Sequence, residues 1–592
     1  MISNNESALA RINRNDPTLT ELTLEFPFGG VEELGSGAPP LCQCFPSNAG
    51  EWEALGRGIG RNTHLKVVDI DLTAWIGDEN MHASLIESFC QGLSHNRSLQ
   101  RFALKFCDFD LFEKGILQQL TPFLERNRHL RVLDFCYSPI EYRGTQLLSS
   151  TLDRRKNKSL EKIVLSGTAM EADDEGEPAS AILTALKKYN VLKTLEFEMN
   201  DIGYAGCTTL SSLLQSPTST LQNLNLRDSC IDNDRLATLM ASLAENTALE
   251  VLNLSNNQSI THISGWAPLL SLLQSPTCNL KSLSLGDNAL SYDVAVALVA
   301  SLTNNRTLTC LALGGNPSIT SQGFVAVTSL LRTPSSSLEL VDLSENELDD
   351  DVAVAVANSM ANNCTLMALR LDDNPDITTT GSIALSAILR NPGSKLRLLD
   401  LKENKIDDDS AIAYATSLAN NRELKALCLG RPPPIKAPGW AAFARLLCDT
   451  SSINNTYLSN HTLNSFGYSI DQVPDTGKVG AYLKLNQSDR QCRARKILVT
   501  HFRGRFSMEP FTNMKIELLV HVLAWFDKIG SGGRDTSAGY CLICQSAMFH
   551  FLRSEQSLFE RWCGISALED AVAHRFMRDD AYARVSKKMR FI

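Results

Sequence analysis

Apolar positions recur in one frame along most of this chain. Its clearest copy is Leu338-Glu-Leu-Val-Asp-Leu-Ser-Glu-Asn-Glu-Leu348, in which Leu338, Val341, Leu343 and Leu348 are set among polar residues. The frame returns at Leu280, Leu308, Leu366 and Leu396, and weaker copies extend it in both directions. The first apolar residues of successive copies are Leu19, Leu65, Leu99, Leu130, Leu160, Leu192, Leu221, Leu249, Leu280, Leu308, Leu338, Leu366, Leu396, Leu424 and Ile453. From Leu280 onward the starts are separated by 28, 30, 28, 30, 28 and 29 residues. Alternation around Val341 and Leu343 predicts a short strand with one buried and one open face, so the fifteen starts predict fifteen strands.

The second half of each copy has helical spacing. Val352, Ala355, Val356 and Met360 share one helical face, as do Val294, Ala297, Leu298 and Leu302 before them and Ser410, Ala413, Tyr414 and Leu418 after. The runs Asp349–Asp351 and Asp407–Asp409 stand just ahead of two such helices, where carboxylates cap free amides and offset the helix dipole. A cation loop would need a closing ligand at fixed spacing, which these runs lack. The pairs Asn362-Asn363 and Asn420-Asn421 close the helices in turns. Three positions after the third apolar residue stand Asn257, Asn288, Asn316, Asn346, Asn374 and Asn404 in successive copies. An amide there bonds the backbone of the neighbouring turn, and repetition stacks these bonds into a ladder. Earlier copies place Cys107, Ser138, Thr168, Asn200 and Ser229 in this slot, and a later one places Pro432 there.

One strand and one helix per copy predict an α/β solenoid with parallel strands on a concave face and helices on a convex face. Residues 1–50 read as a divergent N-terminal cap, with a strand over Leu19–Leu24 and a Gly/Pro-rich loop from Pro27 to Asn48. Residues 51–464 are the repeats. Residues 465–592 read as a helical C-terminal region, with a loop over 465–478 and helices near 491–503, 511–527, 538–553 and 566–588. Part of that region is expected to cover the last open edge of the array.

The segments 280–290, 338–348 and 396–406, with the 28/30 alternation, resemble leucine-rich repeats of the ribonuclease-inhibitor-like type. The resemblance covers residues 65–463 and implies a horseshoe-shaped solenoid that binds other proteins. The closing Ser459-Asn-His-Thr-Leu463 with a helical tail is similar to a group of algal (diatom-type) repeat proteins, a resemblance that attaches no activity.

Composition narrows the function classes. The net charge of −10 argues against a nucleic-acid binder. The charge is uneven: residues 465–592 hold 19 basic and 13 acidic residues, which leaves −16 on residues 1–464. The opening Met1-Ile-Ser-Asn-Asn-Glu-Ser lacks a signal-peptide pattern, and no apolar run reaches the roughly 18–20 residues of a membrane span. The sixteen Cys are scattered, and Cys136, Cys310 and Cys428 sit among the apolar positions, which suits reduced thiols in a cytoplasmic or nuclear protein. The patterns G-x-x-x-x-G-K-[ST], H-E-x-x-H and G-x-S-x-G do not occur. Cys42 and Cys44 have no partner cluster. Cys541 and Cys544, followed by His550, Cys563 and His574, admit a zinc reading, but they share a helical face with Met548 and Phe551 and read better as core thiols. No catalytic residue, cofactor or metal is therefore expected, and the chain reads as a non-enzyme.

The candidate functional residues are the polar ones beside the strand leucines. Three neighbouring copies supply Asp342, Ser344 and Glu345, then Arg370, Asp372 and Asp373, then Asp400, Lys402 and Glu403. Six acids against two bases leave −4, and Glu196, Glu198, Asp228 and Asp287 extend the acidic bias. Two readings are open: a solvated repeat face, or a contact surface for a partner with a basic surface, where charge would speed association and set specificity. Arg493, Arg495, Lys496, Arg503 and Arg505 suggest that the tail folds back onto acidic repeat surface. The expected function is a protein-interaction scaffold with no nucleic-acid or membrane partner. The alternatives are a GTPase-activating protein resembling Ran-directed members of the same repeat type, and a substrate-receptor subunit whose tail docks a larger complex.

Overall fold

The structure is a computed structural model that describes residues 8–25, 49–73, 79–107, 109, 115–170, 178–332, 336–430, 434–467, 479–487, 496–497 and 500. Among the described residues fourteen parallel strands form one open sheet whose order follows the chain, from Glu21–Glu25 to Ala426–Cys428. The first three strands are five residues long and the others three. A helix separates each strand from the next, as in Leu340–Asp342, Asp350–Met360, Ala368–Arg370. The expected strand over Leu19–Leu24 lies at Glu21–Glu25.

The register repeats because each strand buries one central side chain. Leu311, Val341, Leu369 and Leu399 are aligned across successive strands and are at most 2% exposed. Burying a side chain of this size stabilises by about 1.5–3 kcal/mol. The helices close the other side of the core through an i, i+1, i+4 face. In Asp350–Met360 these are Val352, Ala353, Val356 and Met360, so Ala353 takes the place expected for Ala355.

Polar side chains supply the second half of the frame. Asn346 Oδ1 accepts from Asn316 N at 2.6 Å, Asn374 Oδ1 from Asn346 N at 3.1 Å, and Asn404 Oδ1 from Asn374 N at 2.7 Å. The amide nitrogens donate backwards, Asn346 Nδ2 to Leu313 O at 3.0 Å and Asn404 Nδ2 to Leu371 O at 2.8 Å. All these amides are buried, so each bond satisfies backbone that has no other route to water. Hydroxyls continue the ladder in earlier copies, where Ser138 Oγ accepts from Cys107 N and donates to Leu104 O. A second asparagine series returns the chain from helix to strand. Asn363 Oδ1 accepts from Leu366 N at 2.9 Å while its Nδ2 donates to Leu331 O, one copy back, at 2.7 Å. In one copy the fully buried Arg155 does this work, donating to Leu124 O and Leu130 O.

The acidic runs cap helices twice over. Asp349 accepts from Val352 N at the start of its own helix. Asp350 Oδ1 accepts from Thr378 N at 2.8 Å and Gly381 N at 2.9 Å, at the start of the next copy's helix. A Cβ on Gly381 would lie 2.4 Å from that Oδ1, so glycine is required for the approach. Burial pushes the Asp350 carboxyl up, but the bonds from Thr378 and Gly381 outweigh it and hold it below the usual value.

The chain divides into two compact units, residues 1–406 with 427–433, and residues 407–426 with 434–592. In the second unit the copy expected to start at Ile453 does not begin with a strand. Ile453–Leu458 is a helix capped by Ser452, whose Oγ accepts from Asn455 N. The frame restarts ten residues later: Asn460 Oδ1 accepts from Leu463 N at 2.9 Å, its Nδ2 donates to Leu418 O at 3.0 Å, and Ser465 bridges to Ala426. Ile453 satisfies the apolar spacing, but in this copy Asn460 is the residue that bonds the turn from helix to strand. Val479–Gln487 forms a helix that apolar spacing did not single out. Lys496 is buried and donates to Leu447 O at 2.5 Å and Asn460 O at 3.1 Å. Of the expected helix 491–503, Lys496, Ile497 and Thr500 are described and are helical. Arg493, Arg495, Arg503, Arg505, the other tail helices, Cys42, Cys44, Pro432 and the Cys541–Cys544 pair lie outside the described residues.

Replacing Asn346 with alanine removes an acceptor from Asn316 N and a donor from Leu313 O. Leaving such buried groups unmet costs about 1–3 kcal/mol. The expected outcome is a lower urea midpoint, measured by circular dichroism, for Asn346→Ala than for the wild type.

Candidate functional site

The open face of the sheet carries three columns of side chains that follow the strand register, and its two ends differ in charge balance. Near the N-terminal strands the charges are paired within the face. Arg101 lies 3.0 Å from both Asp69 and Asp134, and Lys105 lies 3.0 Å from Asp69. Lys162 pairs with Glu196, and Asn225 Nδ2 donates to Glu198 at 2.7 Å.

The stretch from Leu340–Asp342 to Leu398–Asp400 is less balanced. Arg370 bonds Asp342 at 3.0 Å and approaches Asp372 at 3.5 Å, and Lys402 bonds Asp400 at 3.1 Å. Two cations thus serve three carboxylates, and Glu345, Asp373 and Glu403 remain beside them. Burial and then its neighbours Asp287, Asp373, Asp372 and Asp342 push the Glu345 carboxyl up. Burial and then Asp400 push Asp372 up in the same way. The Cys428 thiol is pushed up to about 11 by burial, with Asp400 the next cause, so it is not poised as a nucleophile.

The nine residues expected to lie open on this face separate into three groups. Glu345, Asp373 and Glu403 are exposed. Asp342, Arg370, Asp372 and Lys402 are half-buried. Ser344 and Asp400 are buried, contrary to expectation. The reason is local bonding: Ser344 Oγ donates to Asp342 Oδ1 at 2.6 Å, and Asp400 Oδ1 accepts from Lys402 N, so these side chains fold onto their own turn.

The three exposed acids share a backbone feature that the sequence pattern did not reveal. Each immediately precedes a ladder asparagine and each has a left-handed φ: 58° at Glu345, 57° at Asp373 and 55° at Glu403. The same slot is left-handed at Phe106, Tyr137, Met199, Asp228, Asn256 and Asp287, and glycine fills it at Gly167 and Gly315. Glycine or asparagine fits this conformation most easily, and other residues carry a cost of order 1–3 kcal/mol. The slot therefore projects a row of side chains from the rim of the face. Its early members are bulky: Tyr137 stacks on Phe106 at 5.0 Å and lies over Gly167, where a Cβ would meet the ring at 2.5 Å. Tyr137 is 38% and Met199 46% exposed. The one available signal was position, namely a bulky or acidic residue just ahead of the ladder slot.

Among the described residues no group of His, Cys, Asp and Glu is placed to hold a metal ion, and no helix is long and apolar enough to cross a membrane.

Comparison with known proteins fits this frame. A family profile described as Leucine Rich repeat matches residues 304–327. Ribonuclease inhibitor from Sus scrofa is 27% identical over 388 residues, which cover 63% of this chain and 81% of that protein. NACHT, LRR and PYD domains-containing protein 14 from Homo sapiens is 26% identical over 370 residues, covering 60% of this chain and 32% of that protein, so the match spans about a third of its length. Two similar solved structures are an internalin from Listeria monocytogenes, with a TM-score of 0.32, 18% identity and coverage of 64% of this chain and 88% of that one, and the yeast complex of Rad7 and Elc1, with a TM-score of 0.37, 15% identity and coverage of 67% and 80%. The chain thus carries a leucine-rich repeat and is similar over 388 residues to ribonuclease inhibitor.

Glu345 allows a test of the crowding. A carboxyl whose folded value is raised above its unfolded value binds a proton more readily when folded, so its ionisation opposes folding. That penalty is complete above the folded value and vanishes below the ordinary glutamate range. Glu345→Gln is therefore expected to raise Tm at pH 7, with the gain over wild type disappearing as the pH falls below about 4. Calorimetric scans of both proteins across that range check it.

Proposed function

We propose that the protein is a non-enzymatic scaffold that binds a protein partner along the open strand face, with the acid-biased stretch set against a basic surface of that partner. Leucine-rich-repeat proteins generally act as protein-interaction scaffolds, and stacked repeats offer an extended surface for this role. The observation that carries the finer reading is the placement of Glu345, Asp373 and Glu403. Three successive copies put a carboxylate where the backbone favours glycine or asparagine. Each departs from the cheapest residue for the slot, and none of the three is needed by the asparagine ladder. Repetition of a carboxylate at an exposed slot whose residue the frame leaves free to vary supports use of these side chains.

In this reading Glu345, Asp373 and Glu403 make the contacts, while Asp342, Asp372, Arg370 and Lys402 shape the potential between them. Ser344 and Asp400 hold the turns. Carboxylates of this kind raise association rates and select against acidic surfaces.

The experiment is affinity capture with the intact chain and with the triple variant Glu345→Lys, Asp373→Lys, Glu403→Lys. Recovery of the same partner is expected to fall about tenfold or more while Tm stays within a few degrees. Equal recovery by the two proteins contradicts the acid-contact reading.

A further inference from the structure

A surface cleft of about 560 Å³ opens where three successive copies turn from helix back to strand. It follows the helices Glu79–Leu93, Ile116–Arg126 and Tyr142–Arg154. Arg97, Arg126, Arg128, Arg154 and Lys156 line it, with His129 beside them, and Glu125 is the acid among its lining residues. Five cations and one carboxylate converge here, although residues 1–464 carry −16 overall.

Ordinary helix chemistry accounts for part of this. Arg126 and Arg154 close the last turns of their helices, where cations offset the dipole. Arg97 likewise bonds carbonyls at the end of its helix, but helix chemistry does not account for Arg128 and Lys156, which lie in the turns beyond the helices. Glu125 is already engaged with Arg154 at 2.7 Å. Among the described residues no carboxylate pairs with Arg97, Arg126, Arg128 or Lys156. Arg97 Nη1 donates to Asn96 O at 2.9 Å and Ser94 O at 3.2 Å, which fixes its guanidinium in place. Partial burial, and then Arg126 and Arg128, make the charge on Arg97 less favourable than usual. An anion of high charge density would remove that repulsion.

We propose that this cleft binds a compact polyphosphate. Guanidinium groups present paired N–H donors that match phosphate oxygens, and several phosphates on one small body would engage several of the five cations at once. The cleft has the volume of a small-molecule site and is confined to three copies, so it favours a compact ligand over an extended nucleic-acid backbone. It does not share residues with the acid-biased stretch of the strand face, so the proposal stands apart from the reading of that face.

The test is isothermal titration of the full chain at low salt with sodium tripolyphosphate and, separately, with inositol hexakisphosphate. Saturable one-to-one binding of either supports the cleft, and the tighter of the two tells a linear from a ring-borne phosphate source. Arg128→Gln is expected to weaken binding about tenfold, since a lost charge-assisted hydrogen bond is worth roughly a factor of ten or more. The double variant Arg97→Gln, Arg128→Gln is expected to bind at least a hundredfold more weakly. Glu125→Gln, which frees Arg154, is expected to tighten binding several-fold, an effect that a merely structural role for these side chains would not produce. Tm without ligand, unchanged from wild type, confirms that each variant is folded. The proposal is overturned if neither polyphosphate binds, if the double variant binds as well as wild type, or if a single-stranded oligonucleotide of matched charge binds more tightly than both.

Discussion

The buried asparagine amide is the interaction on which the rest depends. A three-residue strand has too few ladder bonds to hold its own turn, and a solenoid must make the same turn at every copy. At Asn316, Asn346, Asn374 and Asn404 one side chain meets backbone on both sides: its oxygen takes an amide from the preceding copy and its nitrogen serves that copy's carbonyl. Apolar burial sets the spacing between strand and helix, but it is not directional. The amides supply direction, and they fix the register in which Val341, Leu369 and Leu399 align.

Fixing the frame in this way frees the residue ahead of each ladder asparagine. Its side chain contributes little to the core, and its backbone is forced left-handed whatever residue is present. Aromatic and apolar side chains occupy the slot at Phe106, Tyr137 and Met199, and carboxylates occupy it at Glu345, Asp373 and Glu403. One structural device therefore presents two chemically different edges along one sheet. A different turn, the return from helix to strand, carries the cationic cleft at Arg97, Arg128 and Lys156. The acidic and basic surfaces thereby lie on different turns and in different copies of the repeat.

Much of the frame was legible because burial enforces a period. The positions of Val341, Leu343 and Asn346 specify strand, core and ladder from sequence alone, and the Asp349 cap follows from its place before a helical face. The last copy was misplaced because Ile453 satisfies the apolar pattern, whereas the turn is made by Asn460 ahead of Leu463. The burial of Ser344 and Asp400 was not legible, since alternation gives the side of the sheet but not the hydrogen bonds that fold a side chain back. The left-handed slot was hidden because glutamate, aspartate and tyrosine are not residues that announce that conformation. The cationic cleft was hidden because its members come from three copies and, read one at a time, are single cations in or just after a helix end.

The central claim is that each ladder asparagine anchors the copy before its own. Residue-resolved hydrogen exchange on the wild type and Asn374→Ala tests it directly. Asn374 Oδ1 accepts from Asn346 N and Leu348 N at 3.1 and 3.0 Å, so those two amides, one copy upstream, are expected to exchange faster in the variant. Unchanged protection at Asn346 and Leu348 in a folded Asn374→Ala protein would contradict the account.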